Sequence, residues 1–139
     1  MEIAKRIVAV FLMLSAIAVG LLLMLTPVFH DGSADYPAWK ILNWFMAVGV
    51  IISLAVSFKR RRPHLTGSGE ISVDYLRTNL VWYGAIALTV LFFWEWLWTL
   101  NPDSETGDAV TSHLVYFPLV DVLYIVINLS SGRHLLTGR

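Results

Sequence analysis

Two carboxylates, Asp121 and Glu95, each stand inside a long apolar run of this chain. A charge at the centre of a membrane helix costs roughly 2.5–3.5 kcal/mol on insertion scales, so each calls for a partner or a role. Asp121 lies about 11 residues, or roughly 16 Å, from the outer end of its run, near the middle of a bilayer. An aspartate cannot snorkel as a lysine can. Asp121 is therefore expected to face the bundle interior or another subunit, and to be neutral or paired. Helical spacing places Phe117, Asp121, Tyr124 and Asn128 on one stripe, with His113 eight residues before Asp121. No Lys or Arg of the chain shares that depth. The expected partners are the hydroxyls of Thr89, Ser15 or Ser53, a cation or proton relay, or a basic group on another subunit.

Glu95 is shallower, within Phe92-Phe93-Trp94-Glu95-Trp96-Leu97-Trp98. An aromatic belt at the membrane interface accounts for these tryptophans. The sharper alternative is that Trp94 and Trp98, one turn apart, help Glu95 hold an organic cation through their π faces. Asn43 and His113 have similar depths on their own segments, so Glu95, Asn43 and His113 form a candidate polar network at the outer rim. Glu95 and His113 are also weak metal candidates, because zinc sites usually offer three or four ligands and only His30, Asp31 or Asp103 could add to them. His64 and His134 read as solvated groups among basic residues.

Several chemistries are excluded. The absence of cysteine removes disulfides, thiolate metal sites and cysteine nucleophiles. There is no phosphate-binding loop, no Gly-x-Ser-x-Gly elbow and no His-Glu-x-x-His. Two facing histidines that would bracket a haem are lacking, and the sequence implies no particular cofactor.

The elements that must position these residues follow from composition. The chain is 57% hydrophobic over 139 residues with a mean hydropathy of +0.67, well above the roughly 45–50% of soluble domains. Four helices are expected at about 7–29, 39–58, 73–100 and 108–130, each able to span a hydrocarbon core of roughly 30 Å. The fold class is an all-α membrane protein, one domain over 1–139, with four transmembrane helices in an antiparallel bundle because the connections are short. Lys5 and Arg6 precede an apolar run longer than a signal-peptide core, so the first segment reads as a retained helix. It is expected to end near Thr26-Pro27. Ala47, Gly49 and Ala55 would permit close helix contact. Ser72 is a candidate cap with Asp74 in the first turn, Thr106 or Asp108 caps the fourth helix, and Gly132 is the expected stop.

Nine of the ten Lys and Arg fall on one side of these segments, leaving Lys40 opposite. That asymmetry places both termini in the cytoplasm. Lys59, Arg60, Arg61 and Arg62 directly follow a membrane segment and read as an anchor that touches anionic lipid headgroups. A basic surface broad enough for nucleic acid is missing. Asp31, Asp35, Asp103, Glu105 and Asp108 make the opposite loops acidic. With no targeting extension, a multi-pass protein of a bacterial or archaeal plasma membrane is expected, with the bilayer and either other membrane subunits or copies of itself as partners.

The function expected is that of a noncatalytic accessory or structural subunit of a larger membrane complex. The alternative is a small homo-oligomeric proton or cation carrier or channel that uses Asp121 and Glu95. A third, weaker reading is a membrane enzyme or metal site at Glu95 and His113.

Overall fold

The computed structural model of the chain describes residues 2–29, 37–62, 72–101 and 109–137, with the backbone alone at 109–114. Four helices carry it: α1 (Glu2–Phe29), α2 (Pro37–Arg61), α3 (Val73–Thr99) and α4 (Ala109–Thr137). All four are long and apolar enough to cross a membrane. His30, His64, the acidic loop residues and the proposed α4 caps lie outside the described residues.

Contacts between helix ends fix the directions. The Trp39 indole N–H at the start of α2 donates to Thr26 Oγ1 near the end of α1 at 3.1 Å. Arg60 near the end of α2 meets Asp74 at the start of α3 at 3.7 Å. Trp44 and Trp96 join the other ends of α2 and α3 edge to face, with ring centroids 4.7 Å apart. Neighbours in sequence are thus antiparallel, and every described Lys and Arg except Lys40 gathers at one end, called here the basic end. Helix α4 packs against all three others, most broadly against α1, while α2 pairs with α3 and α1 barely meets α3.

The buried face of every helix repeats at alternating steps of three and four residues. In α1 it is Ala9, Leu12, Ala16 and Val19; in α3 it is Thr78, Val81, Ala85, Leu88, Phe92 and Glu95. This 3.5-residue period keeps one stripe facing its neighbours along a gently supercoiled bundle. The outward faces are largely apolar, with aliphatic and aromatic side chains both exposed.

A local signal explains the start of α3, whereas three other helix ends run beyond theirs. Ser72 has extended backbone and its hydroxyl accepts from the Tyr75 N–H at 3.1 Å, capping α3 with Asp74 in the first turn. Helix α1 passes Pro27 and runs to Phe29; α2 runs through Lys59 and Arg60 to Arg61, beyond the apolar stretch. Helix α4 passes the stop expected at Gly132 and continues to Thr137. Gly132 is buried within the helix instead. A Cβ there would lie 2.7 Å from Met13 Cγ and 3.1 Å from the Ala9 carbonyl oxygen, so glycine permits the close approach of α1 and α4. Of the small residues on α2, Ala47 and Gly49 are buried as contact residues, whereas Ala55 faces outward.

Gly49 is the tighter of two contrasting positions, because a Cβ there would collide with the Tyr124 hydroxyl and stand 3.1 Å from Tyr124 Cζ. At Gly20 a Cβ would meet Ile125 Cδ1 at an ordinary 3.5 Å. Gly49→Ala is expected to destabilise the purified protein by about 1–3 kcal/mol, with Gly20→Ala close to neutral. Unfolding in mixed micelles measures both, and equal tolerance of the two would contradict the packing described.

Candidate functional site

The buried face of α4 carries a polar residue at each step, Asp121, Tyr124, Asn128 and Ser131, beside the apolar Val120 and Ile127. Phe117, one turn beyond Asp121, is half-buried. Tyr124 is fully buried and reaches across the bundle, donating its O–H to Ser15 Oγ on α1 at 2.9 Å. Ser15 in turn donates to the Leu12 carbonyl at 3.0 Å. With Gly49 of α2 against its ring, Tyr124 ties its own helix to two others through one side chain. One turn on, Asn128 Nδ2 donates to the Tyr124 carbonyl at 2.9 Å, tying that amide to its own helix.

Asp121 is 4% exposed, so it faces the interior of its own bundle. Of the two orientations open from the sequence, the inward one holds in the single chain. Gly49 opposes Tyr124 and Gly84 opposes Ile127. Counting along the helices from those two pairs puts Met46 of α2 and the Leu88 to Phe92 turn of α3 at the level of Asp121. Met46, Leu88 and Phe92 are buried and apolar.

The three hydroxyls expected to meet Asp121 each direct their hydrogen elsewhere. Ser15 donates to Leu12, Ser53 to the Val50 carbonyl at 3.0 Å, and Thr89 to the Ala85 carbonyl at 2.7 Å. Each donates within its own helix, where an acceptor three or four residues back is always in reach. Ser53 is fully buried on α2 and Thr89 half-buried on α3.

Toward the basic end the interior changes character. Ser57 of α2, Thr78 of α3, and Asn128 and Ser131 of α4 are all buried. Each has a side-chain oxygen without a hydrogen-bond partner among the described residues: Ser57 Oγ, Thr78 Oγ1, Asn128 Oδ1 and Ser131 Oγ. A buried polar atom left unpaired costs about 1–3 kcal/mol, so four in one half of a small bundle are a distinct feature. Ser131 was legible as the next step of the Asp121 stripe. Ser57 and Thr78 were not, because serine and threonine in a membrane helix ordinarily bond their own backbone.

At the opposite end, Glu95 is buried at 8% exposure and Trp96 beside it at 7%. Trp94 and Trp98 face outward at 62% and 45%, their rings tilted against each other with centroids 6.2 Å apart. The two tryptophans expected to cage a cation with Glu95 therefore sit on the outer surface, as belt residues do, while Trp96 turns inward against Trp44. Asn43 is half-buried on α2, and the His113 side chain lies outside the described residues. Among the described residues no group of three or more potential ligands could hold a metal ion.

The basic cluster does not form one solvated face. Lys59 is exposed, but the Arg60 side chain is only 9% exposed. The Arg61 guanidinium lies 5.7 Å from the Trp82 ring centroid and 5.4 Å from that of Tyr83, and Arg62 sits 5.9 Å from that of Phe58. The two Arg61 contacts hold the end of α2 against α3, while the Arg62 contact stays within the end of α2.

A double-mutant cycle tests the Tyr124 junction. Tyr124→Phe and Ser15→Ala should each destabilise the bundle, with a coupling of about 0.5–1.5 kcal/mol; strict additivity would show that this hydrogen bond contributes nothing. No family model matches the chain, and neither curated proteins nor solved structures gave a match to it.

Proposed function

We propose that the chain is a small membrane carrier of protons or cations whose working parts are Asp121 and the buried polar residues between it and the basic end. One observation supports this reading: the four unpartnered oxygens of Ser57, Thr78, Asn128 and Ser131 occupy that half of the interior, on three helices. Buried polar groups of this kind are met by water or by an ion in working proteins. A hydrated run would link the basic end to Asp121, and an ionisable residue within a membrane characteristically marks such a path. By the register above, Glu95 stands about five residues, or roughly 8 Å, farther toward the opposite end. It is the second carboxylate of the path. The inside-positive distribution makes the polar half the cytoplasmic one.

Protein reconstituted in vesicles with an enclosed pH-sensitive dye is expected to dissipate an imposed proton or cation gradient. Asp121→Asn should reduce the rate to that of protein-free vesicles while leaving the helical circular dichroism unchanged. Undiminished flux in this variant would sink the proposal, as would a wild-type protein that moves neither protons, sodium nor potassium.

A second reading, the noncatalytic accessory subunit, is favoured by the outer face of α1. Ile7, Val10, Leu14, Ile17, Leu21 and Met24 are exposed at alternating steps of three and four residues. Such a ridge suits knobs-into-holes packing with a further membrane helix, from another copy or another protein. Gentle extraction should then yield a species heavier than one chain, and a single-chain particle in every mild detergent would count against it.

A further inference from the structure

We propose that the basic end of the bundle holds a binding site for a phosphate group, formed where α2, α3 and α4 converge. A recess of about 960 Å³ opens there, lined by Arg60, Arg77, Arg133, His134 and Ser130 among others. The arginines come from three different helices, so tertiary packing and not a local run of sequence brings them together. Three guanidinium groups lining one recess present a convergent positive surface to an anion. The planar fork of arginine matches phosphate oxygens through paired hydrogen bonds, which suits it to this anion.

Burial sharpens the case. The Arg60 side chain is 9% exposed, and its 3.7 Å approach to Asp74 exceeds hydrogen-bond length. Asp74 itself is 61% exposed and facing solvent screening. A desolvated guanidinium so loosely opposed attracts an anion more strongly than a hydrated one. Arg77 and Arg133 are exposed and flank the opening, where they can close on a ligand without displacing packed groups. The volume falls within the range of roughly 300–1,000 Å³ typical of small-molecule sites. These residues lie at the helix ends, at the depth of lipid headgroups in a spanning bundle. The phosphate is therefore available from two sources, an anionic phospholipid or a soluble phosphate compound.

The experiment compares the full chain with two variants of equal charge loss. Arg77→Gln with Arg133→Gln alters the recess at exposed positions, where folding should persist; Lys5→Gln with Arg6→Gln removes two exposed cations at the same end but outside it. In the lipid arm, native mass spectrometry from nanodiscs reads retained phosphatidylglycerol against phosphatidylcholine. In the soluble arm, the probe is inorganic pyrophosphate added to protein in phosphatidylcholine nanodiscs, read as a shift in thermal unfolding. The recess variant should lose binding roughly tenfold or more in one arm, with the control variant near wild type, and the responding arm identifies the source. Equal losses in both variants would reduce the effect to general surface charge and overturn the site. Absence of binding in both arms would overturn it as well.

Discussion

The architecture depends on the contact of Tyr124 with Ser15 and Gly49. A tyrosine is too large to be buried at the centre of four helices unless one neighbour has no side chain, and too polar to be buried in hydrocarbon unless its hydroxyl is satisfied. Gly49 meets the first demand and Ser15 the second. Meeting both sets the register of α4 against α1 and α2 together. From that register follow Asp121 one turn to one side, level with apolar neighbours, and Asn128 one turn to the other, among unpartnered hydroxyls.

Without a hydrophobic force between helices in lipid, close packing at small residues and a few buried hydrogen bonds must hold such a bundle. Gly132 against Ala9 and Met13 brings α4 onto α1, and Gly84 against Ile127 brings it onto α3. The polar stripe of α4 gains little from its surroundings in the half near the basic end. Small apolar residues there would leave no oxygen unpaired, so Ser57, Thr78, Asn128 and Ser131 stand in that half at a cost to stability. The basic recess is an extension of the same geometry: the helices that converge on α4 carry Arg60 and Arg77 to the end where Arg133 emerges.

The four helices were legible because an apolar run of membrane length is an unambiguous signal, and the stripe of Asp121, Tyr124 and Asn128 followed from helical spacing alone. The extent of α4 was not, because glycine serves equally as a helix stop and as a point of close approach, and only the position of α1 decides which. The hydroxyl partners expected for Asp121 were not legible for a similar reason. Depth made Thr89, Ser15 and Ser53 eligible, but a hydroxyl that donates to its own backbone can still accept, so only the packed register decides whether one meets Asp121. The pairing of Trp94 with Trp98 was readable from spacing, whereas their outward direction required knowing which face of α3 meets α2. Arg77, Arg133 and His134 are far apart or unremarkable in sequence, and no pattern joins them to Arg60 before the chain folds.

The claim that most needs a direct measurement is that Asp121 communicates with the basic end. Infrared difference spectroscopy on oriented vesicles can follow its carboxyl band, assigned by its loss in Asp121→Asn, while the pH is changed on one side at a time. The band should respond to the side bearing the basic end and stay unchanged when the opposite side alone is varied. A carboxyl band indifferent to both sides, or responsive from the opposite side alone, would contradict it.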